Sequence, residues 1–465
     1  MNTEVSLTSK QHMEIKSHLF PGDCKEAIAF LLCGRHEYNG NRKLLVHEIL
    51  KIPYEKCVER KYDRVKWNTD FLQPILDKAA HNNWGIIKIH SHPQNYDRFS
   101  TTDDVSDKEL FPQIYVWLND FTKPHASMIM FPDGNLIGRV VDSDGNFVTL
   151  GVINIIGEDI RILKKINKEN SNLEFDRKNI QVFGAKTISL LKDLKIAVVG
   201  CSGTGSPVIE MLSRLGTGKL VLIDFDKVEE KNLNRILNAT QRDAVSKIPK
   251  VEMFKRTLIN MGLGTDVEIF NSDLSNMKTL DALADCDVIF GCVDSIEGRH
   301  ILNKLSTFYL IPYFDLGVKL ISDGKGGIES IAGNVHYLQP GLSTLIGRGV
   351  YTLKELESES LKKRDPEEYK KRLNSKYIEG VEEDRPAVIS VNMICSSIAV
   401  NEFLARIHPF RIDNNNEFAI TKFELVNWSF MYESEEKQNP VNIFSNFVGR
   451  GDMNPPLNLT SLSIK

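Results

Sequence analysis

Apolar and polar residues fall into blocks along this chain, and short apolar runs are separated by turns or by helical patterns. In the first third, the apolar runs at 27–32, 86–89, 126–131 and 136–141 predict strands. The run 114–118 also predicts a strand, and the spacing of apolar residues over 70–81 predicts a helix. These elements together predict an N-terminal α/β domain over residues 1–151.

Strands and helices are expected to alternate beyond residue 191. The runs at 195–199, 220–223 and 287–294 predict strands, and 208–215 predicts a helix. Such alternation favours a doubly wound parallel sheet, which we assign to a second domain over residues 192–465. The stretch 152–191 between the domains is rich in Lys, Asn and Glu and predicts a helical connector.

Two histidines follow the strand 86–89 at a spacing that suits a metal ion. Residues 90–103 read H-x-H, seven further residues and S-x-x-D. Residues two apart on a strand point the same way, so His90 and His92 can converge on one ion. Ser100 and the threonines after it predict a helix N-cap, which puts Asp103 in the first turn. Two imidazoles and a carboxylate are the ligands of a catalytic zinc with a position open for water.

This motif resembles that of the JAB/JAMM metalloproteases, which also place a glutamate just before a buried strand ending in glycine. Glu26 precedes the run 27–32, and Gly34 follows it. The resemblance implies zinc on the two histidines and Asp103, with Glu26 as the general acid/base. Ser100, beside the ligands, can donate its hydroxyl to a developing oxyanion. The alternative is an H-x-H sequence on a polar loop that holds no metal.

A glycine-rich turn follows the strand 195–199. Gly200, Gly203 and Gly205 lie in the sequence GCSGTGS, just before the helix 208–215. A strand, a glycine-rich turn and a helix together aim backbone N–H groups at an anion. The spacing fits NAD binding poorly, because the second glycine of that fingerprint would fall at Ser202.

Polar residues at the later strand ends indicate an adenylating enzyme. Asp224 and Asp226 end the strand 220–223, about 20 residues past the glycines, where a ribose-binding carboxylate belongs. Further polar residues follow in order: Asn232, Arg235, Lys250 and Asp294. An adenylating enzyme needs such groups, because it holds a triphosphate and Mg²⁺ and stabilises an in-line transition state. The alternative is a nucleotide-free doubly wound sheet whose acids are turn residues.

This region resembles the ThiF/MoeB superfamily, the ubiquitin-activating-enzyme-like adenylyltransferases with a Rossmann-like fold. The resemblance implies that Asp224 holds the ribose of ATP and that Asp294 binds Mg²⁺. It also implies that Asn232, Arg235 and Lys250 contact the phosphates. The usual middle glycine of the family's loop is Ser202 here.

Family members also carry an arginine that reaches the ATP of a partner subunit. Arg177 occupies that position, although the usual Arg-Gln pair reads Arg177-Lys178 here. The resemblance therefore implies a homodimer. The charged segment 353–386 is either the family's crossover over the adenylate or a solvated helix, and it contains no cysteine. Cys395 lies in an apolar helical pattern, which favours core packing over a thioester nucleophile.

Composition restricts the kinds of partner. The net charge is −4, which favours neither nucleic acid nor an anionic membrane surface. We find no apolar run of transmembrane length and no signal sequence. The seven cysteines show no paired spacing, which is typical of reduced thiols and favours a cytoplasmic location.

The two resemblances together imply a bifunctional enzyme. ThiF-like enzymes adenylate the C-terminus of a small, ubiquitin-like β-grasp protein, and JAMM proteases cleave amide or isopeptide bonds at such a terminus. By family analogy, fused forms act in bacterial ubiquitin-like conjugation or defence, with a conjugating enzyme or a sulfur donor as a further partner. Three alternatives remain: sulfur-carrier activation for thiamine, molybdopterin or cysteine synthesis, adenylation of a ribosomal peptide, and a non-enzymatic scaffold.

Overall fold

The computed structural model describes residues 2–94, 96–164, 174–323, 325–374, 388–439 and 442–462. The chain divides into two compact units. The first comprises Met1–Lys168, Phe308–Leu310 and Asn446–Asn458, and the second comprises Glu169–Thr307, Ile311–Ser445 and Leu459–Lys465.

Over its described residues, the first unit contains a mixed sheet and three α-helices. Its elements are β1 (Asn2–Thr8), α1 (Ser9–Leu19), β2 (Ile28–Tyr38), β3 (Asn41–Lys51), β4 (Cys57–Lys61), β5 (Arg64–Trp67), α2 (Leu72–Asn82), β6 (Gly85–Ser91), α3 (Thr101–Leu118), β7 (His125–Met130), β8 (Leu136–Val141), β9 (Phe147–Thr149), β10 (Val152–Ile156) and β11 (Ile160–Lys164). The sheet order is β11-β10-β1-β3-β2-β6-β7-β8-β9, and β4 pairs with β5 separately.

Alternation along β6 assigns its residues to opposite faces of the sheet. Ile87 and Ile89 lie in the core cluster that contains residues of α1. Ile86 lies in the cluster that contains residues of α2 and α3. Because side chains on a strand alternate, Lys88 and His90 share the face of Ile86. The sequence pattern therefore directs the candidate metal ligands toward α3.

The predicted strand at 114–118 is wrong, because α3 continues to Leu118. Burial there follows a helical period: Ile114 and Tyr115 are buried, whereas Val116 and Trp117 are exposed. A run of apolar and aromatic residues is ambiguous between strand and helix, and here the tertiary contacts of α3 decide.

The predicted helical connector is wrong over residues 154–164, which form β10 and β11. Ile153 and Ile155 are buried, and β10 pairs in parallel with β1. The connector was predicted from its overall Lys- and Asn-rich composition, which does not reflect these apolar positions. The first unit thus extends beyond residue 151. Residues 165–173 of the connector lie outside the described part of the chain, and the α-helix that follows, Arg177–Asp193, comes after a short 3-10 helix, Glu174–Asp176.

The segment Asn446–Asn458 belongs to the first unit, where it contacts β2. The Gly34 amide donates to the Gly449 carbonyl at 3.2 Å, and the Asp452 amide donates to the Arg35 carbonyl at 2.8 Å. A Cβ atom at Gly34 would lie 2.3 Å from the Gly449 carbonyl oxygen. Gly34 therefore permits a close approach of another backbone segment to β2. The prediction that the strand ends at Gly34 is wrong, because β2 continues to Tyr38.

The second unit alternates strands and helices. Its elements are α4 (Arg177–Asp193), β12 (Lys195–Val199), α5 (Gly205–Arg214), β13 (Lys219–Ile223), α6 (Gln241–Ser246), α7 (Lys250–Met261), β14 (Asp266–Phe270), α8 (Met277–Ala284), β15 (Val288–Gly291), α9 (Ile296–Tyr309), β16 (Tyr313–Ser322), β17 (Ile328–Leu338), α10 (Leu353–Arg364), α11 (Pro366–Asn374), α12 (Ile389–Ile407), β18 (Ile420–Glu424) and β19 (Ser429–Glu433).

The sheet order of this unit is β14-β13-β12-β15-β16-β17-β18-β19. The strands from β14 to β16 are parallel, and the remaining pairs are antiparallel. The chain order reverses between β12 and β15, and ligands bind at the carboxyl ends of strands beside such a reversal. The predicted doubly wound, Rossmann-like sheet is confirmed.

The charged segment 353–386 contains two helices, α10 and α11. Residues 375–387, which include the rest of this segment, lie outside the described residues. Over the part of the chain that is described, no helix has both the length and the apolar character needed to cross a membrane.

Candidate functional site

The predicted metal ligands converge in the first unit. The Nε2 atoms of His90 and His92 lie 3.2 Å apart. Asp103 lies 3.0 Å from His90 and 3.4 Å from His92, measured between a carboxylate oxygen and Nε2. One ligand atom from each of the three residues lies within 4.8 Å of the others. This compact set of two imidazoles and one carboxylate fits a zinc ion with an open coordination position.

The start of α3 fixes the carboxylate. As predicted, Ser100 is the N-cap, and Asp103 occupies the first turn. The Asp103 amide donates to Ser100 Oγ at 3.1 Å, and the Ser100 amide donates to Asp103 Oδ2 at 2.7 Å. Ser100 Oγ also donates to the same carboxylate oxygen at 2.8 Å. Ser100 is thus placed beside the ligands, and its role toward an oxyanion stays a prediction.

Hydrogen bonds and burial set the ionisation of this cluster. His92 Nδ1 lies 2.8 Å from the Tyr96 carbonyl oxygen, so Nδ1 carries the donated proton and Nε2 is left to bind a metal. Burial by itself would raise the pKa of Asp103, but hydrogen bonds from His90 and His92 hold it well below its usual range. The carboxylate is therefore ionised and able to act as a ligand.

Glu26 directly precedes β2 and is buried, with 6% of its surface exposed. Burial is the largest cause that raises the pKa of Glu26 to about 8, and the nearby charges of His92 and Asp103 act in opposite directions. Ile28, two residues on, pairs with His90 of β6, so β2 places Glu26 beside the predicted metal ligands. A carboxyl group with an elevated pKa is suited to proton transfer near neutral pH.

A buried ion network, for which no role was predicted, lies beside the predicted metal ligands. Lys88, two residues before His90, forms an ion pair with Asp107 of α3. Arg139 of β8 pairs with Asp107 at 2.6 Å. A lysine inside the apolar run of β6 is the sequence signal for such a network, because a buried charge needs partners.

The second unit contains a cavity of about 630 Å³ at the carboxyl ends of β12, β13 and β15. Its walls include most of the residues predicted to bind nucleotide: Gly200, Gly203, Asp224, Asp226, Asn232, Arg235, Lys250 and Asp294. Residues far apart in sequence are therefore brought to one place, beside the reversal of strand order. Gly205 begins α5 directly behind the loop.

The phosphate loop depends on its glycines. Gly200 has a positive φ of 90°. A Cβ atom there would lie 2.5 Å from the Cys292 carbonyl oxygen, so no larger residue fits beside β15. The turn that follows leads into α5, and such a turn presents its backbone N–H groups to an anion.

Two acids and a lysine form a cluster at the end of β13. Lys250 Nζ lies 2.7 Å from Asp226 and 3.6 Å from Asp224. Asp224 also accepts hydrogen bonds from the amides of Cys201 and Asp226, at 2.7 and 2.8 Å. Burial raises the pKa of Asp224, and the Lys250 ammonium opposes that effect. A phosphate bound in the cavity would lie near the Lys250 ammonium, which the two carboxylates hold in position.

The other predicted residues occupy different positions around the cavity. Asn232 is buried, and its side-chain oxygen accepts from the Glu229 amide at 3.0 Å. Arg235 donates to the Lys231 carbonyl at 2.8 Å. Asp294 lies just beyond β15 in the cavity wall.

Arg177 is set apart from this group. It is the first residue of α4, its side chain is 71% exposed, and it pairs with Glu174 at 3.4 Å. It does not line the cavity among the described residues. An exposed arginine can reach the ATP of a partner subunit, and this role of Arg177 stays a prediction.

Cys395 packs in the core of the second unit. It is 0% exposed on α12, and burial raises the pKa of its thiol to about 12. Both properties oppose formation of a thiolate.

Several cavity residues received no role from the sequence. Arg299 of α9 donates to the Leu316 carbonyl at 3.1 Å and lies 3.3 Å from Asp315. Glu359 of α10 accepts from the amides of Ile296 and Glu297, at 3.2 and 2.7 Å. The last of these residues, Asn392, lies on the buried side of α12. A polar residue with a side-chain amide among the buried positions of α12 is the signal that points to Asn392.

Comparison with known proteins identifies both units. Residues 175–441 match the model of the ThiF family, and residues 10–135 match that of the prokaryotic homologs of the JAB domain. Two curated relatives are ubiquitin-like modifier-activating enzyme 5 from Caenorhabditis briggsae, 31% identical over 162 residues, and from Caenorhabditis elegans, 30% identical over 162 residues. Each alignment covers 32% of this chain, and 35% and 36% of the respective relative. The chain thus spans about a third of the length of these relatives.

Solved structures with similarity include Escherichia coli MccB with ATP, at 18% identity and a TM-score of 0.43, covering 58% of this chain and 74% of that one. The microcin C7 biosynthetic enzyme MccB with N-formylated MccA has 19% identity and a TM-score of 0.45, covering 60% and 77%. The predicted fusion of a JAB-like domain with a ThiF domain is confirmed by the two family models. Residues 175–441 are more than half of the 465 residues, so the chain belongs to the ThiF family.

Proposed function

We propose that this protein uses ATP to adenylate the C-terminal carboxylate of a small ubiquitin-like, β-grasp protein. The observation that carries this proposal is that Asp224, Lys250, Arg235 and Asp294 line the same cavity. Its walls combine the phosphate loop, a cationic group and strand-end carboxylates, as adenylation requires. Similarity to ubiquitin-like modifier-activating enzyme 5 supports a protein carrier.

In this reaction, a carboxylate oxygen of the carrier attacks the α-phosphorus of ATP. The bond from that phosphorus to the bridging oxygen breaks, and pyrophosphate leaves. Lys250 and Arg235 would neutralise the charge that develops on the phosphates, and Asp294 would hold Mg²⁺. The test is ATP–pyrophosphate exchange with β-grasp proteins that end in glycine. Exchange that depends on the carrier supports the proposal, and its absence with every carrier, despite ATP binding, contradicts it.

We propose that the JAB-like domain is a zinc peptidase that trims or removes the same carrier. His90, His92 and Asp103 would hold the ion, because their donor atoms converge and Asp103 is ionised. A zinc ion in such a site supplies a water of lowered pKa, about 7, for attack on a carbonyl. Glu26 would accept the proton of that water and return it to the departing amine.

Zinc binding gives the first prediction. Wild-type protein should contain about one zinc per chain, and His92→Ala should lose it, because two ligands seldom retain this ion. Elemental analysis of the purified full chain measures the content. His81→Ala is the matched control, since His81 is exposed on α2. Equal zinc in wild type and His92→Ala would contradict the assignment.

The second prediction is that no thioester forms on this chain. The segment 353–386 has no cysteine, and Cys395 is buried with a raised pKa. The activated carrier should pass to an outside acceptor: a conjugating enzyme's cysteine, a sulfur donor or an amine. A non-reducing gel after incubation with carrier, ATP and Mg²⁺ should show no thiol-sensitive adduct. An adduct that appears and then vanishes in Cys395→Ala would overturn this prediction.

We also propose a homodimer in which Arg177 serves the nucleotide site of the partner. Its exposure on α4 supports this role. Light scattering measures the assembly state, and a fully active monomer would contradict the proposal. The setting would be a bacterial ubiquitin-like conjugation or defence pathway.

A further inference from the structure

Asn392 is a buried amide without an assigned role. It lies in the first part of α12, 4% exposed, and lines the cavity that contains the phosphate loop. Its Nδ2 atom has no hydrogen-bond partner in the described part of the chain. Leaving a buried donor unsatisfied is costly, so such groups usually meet a ligand or water.

The position of this amide relative to the phosphate loop is well defined. A Cβ atom on Gly203 would lie 2.4 Å from Asn392 Nδ2 and 3.5 Å from Arg235 Cδ. A side chain at Gly203 would therefore collide with the amide and would also contact Arg235. The absence of a side chain at Gly203 leaves the Asn392 amide beside the loop backbone.

A hydroxyl group fixes α12 to the same loop. Ser396 Oγ lies 2.7 Å from the Thr204 carbonyl oxygen and 2.8 Å from the Asn392 carbonyl oxygen. Asn392 and Ser396 are one helical turn apart, so this contact holds the amide in place at the loop. A donor held in place in this way loses little conformational freedom when it binds a ligand.

We propose that Asn392 is a nucleotide-binding residue, whose Nδ2 donates a hydrogen bond to a phosphate oxygen of ATP beside Gly203. The inference rests on the proposed adenylation function. A phosphate oxygen fits because the strand, loop and helix unit cradles an anion, and Arg235 also lies near Gly203 in the same cavity wall. The amide supplies a donor without adding charge, and the hydrogen bond to an ionised phosphate oxygen is of the strong, charge-assisted kind.

The test is equilibrium binding of ATP and of adenosine to the full chain by calorimetry. Asn392→Ala should weaken ATP binding roughly ten- to a hundredfold, as expected for a lost hydrogen bond to a charged group, and leave adenosine binding unchanged. Asn392→Asp should weaken ATP binding further, because it brings a carboxylate to the phosphates. Asn401→Asp is the matched control, since Asn401 is exposed on α12.

Folding is checked by thermal unfolding. Asn392→Ala removes no hydrogen bond made by the side-chain Nδ2, so its melting temperature should stay near that of wild type. Wild-type ATP affinity in folded Asn392→Ala would overturn the inference and leave the proposed function intact. Equal weakening of ATP and adenosine binding would also overturn it, because the amide would then act on the nucleoside or the cavity shape. Failure of wild type to bind ATP would instead contradict the proposed function.

Discussion

Replacing Asp294 with alanine should lower carrier-dependent ATP–pyrophosphate exchange by at least about a hundredfold. Asp294 lies at the carboxyl end of β15, in the wall of the cavity that holds the phosphate loop. Without its carboxylate, Mg²⁺ would be held poorly, and the charge on the departing pyrophosphate would lack compensation. Exchange of radiolabelled pyrophosphate into ATP, with the full chain and its carrier, measures the effect.

A matched acid controls for the loss of one negative charge. Asp413→Ala should exchange like wild type, because Asp413 is exposed and does not line the cavity. Higher Mg²⁺ concentration should restore part of the activity of Asp294→Ala, if weakened metal binding is the cause. Wild-type exchange in Asp294→Ala would show that Mg²⁺ is held elsewhere.

Lys250→Ala should also strongly reduce ATP–pyrophosphate exchange, because it removes a buried positive charge from the cavity. Its ammonium is 2.7 Å from Asp226 and 3.6 Å from Asp224, and it is buried. The variant loses a positive charge for the phosphates and leaves two carboxylates without their partner. Lys278→Ala, at an exposed position of α8, is the control. Thermal unfolding separates a loss of activity from a loss of folding.

The sequence predicted the second unit well because its signals are local. Strands β12, β13 and β15 are short apolar runs, and an acid follows shortly after two of them, as Asp224 and Asp294 do. In a doubly wound sheet, those strand ends meet at one edge, so chain order alone places the residues together. The structure confirms the sheet and brings these residues to one cavity.

Elements that depend on tertiary contacts were harder to predict. The run 114–118 is apolar and aromatic, and only its packing shows that α3 continues through it. Strands β10 and β11 lie in a polar stretch, where pairing with β1 selects the strand. The return of Asn446–Asn458 to β2 joins residues about 400 positions apart, and no local pattern encodes such a contact.

The two candidate sites also differed in how far the sequence could predict them. The H-x-H and S-x-x-D spacing involves one strand and one helix start, so the convergence of His90, His92 and Asp103 could be predicted. Asn392 could not be assigned a role from the sequence, because its amide comes beside the phosphate loop only when α12 packs there.

Replacing Glu26 with glutamine should keep the zinc content and lower cleavage of a carrier fusion by at least about a hundredfold. Glutamine has the shape of glutamate but cannot accept the proton of the attacking water. Glu26 is buried beside the ligands, and burial raises its pKa to about 8, so proton exchange near neutral pH is within its reach. The substrate is a β-grasp protein with a reporter fused to its C-terminus, and cleavage is followed by gel.

Two measurements on the same samples decide the role of Glu26. Elemental analysis should find equal zinc in wild type and Glu26→Gln, because the ligand set is intact. Glu55→Gln, at an exposed position of the same unit, should cleave like wild type. Loss of zinc in Glu26→Gln would make Glu26 part of the metal site, and near-normal cleavage would place the base elsewhere. Loss of cleavage with zinc retained is the result that a general acid/base requires, since only the proton acceptor has been removed.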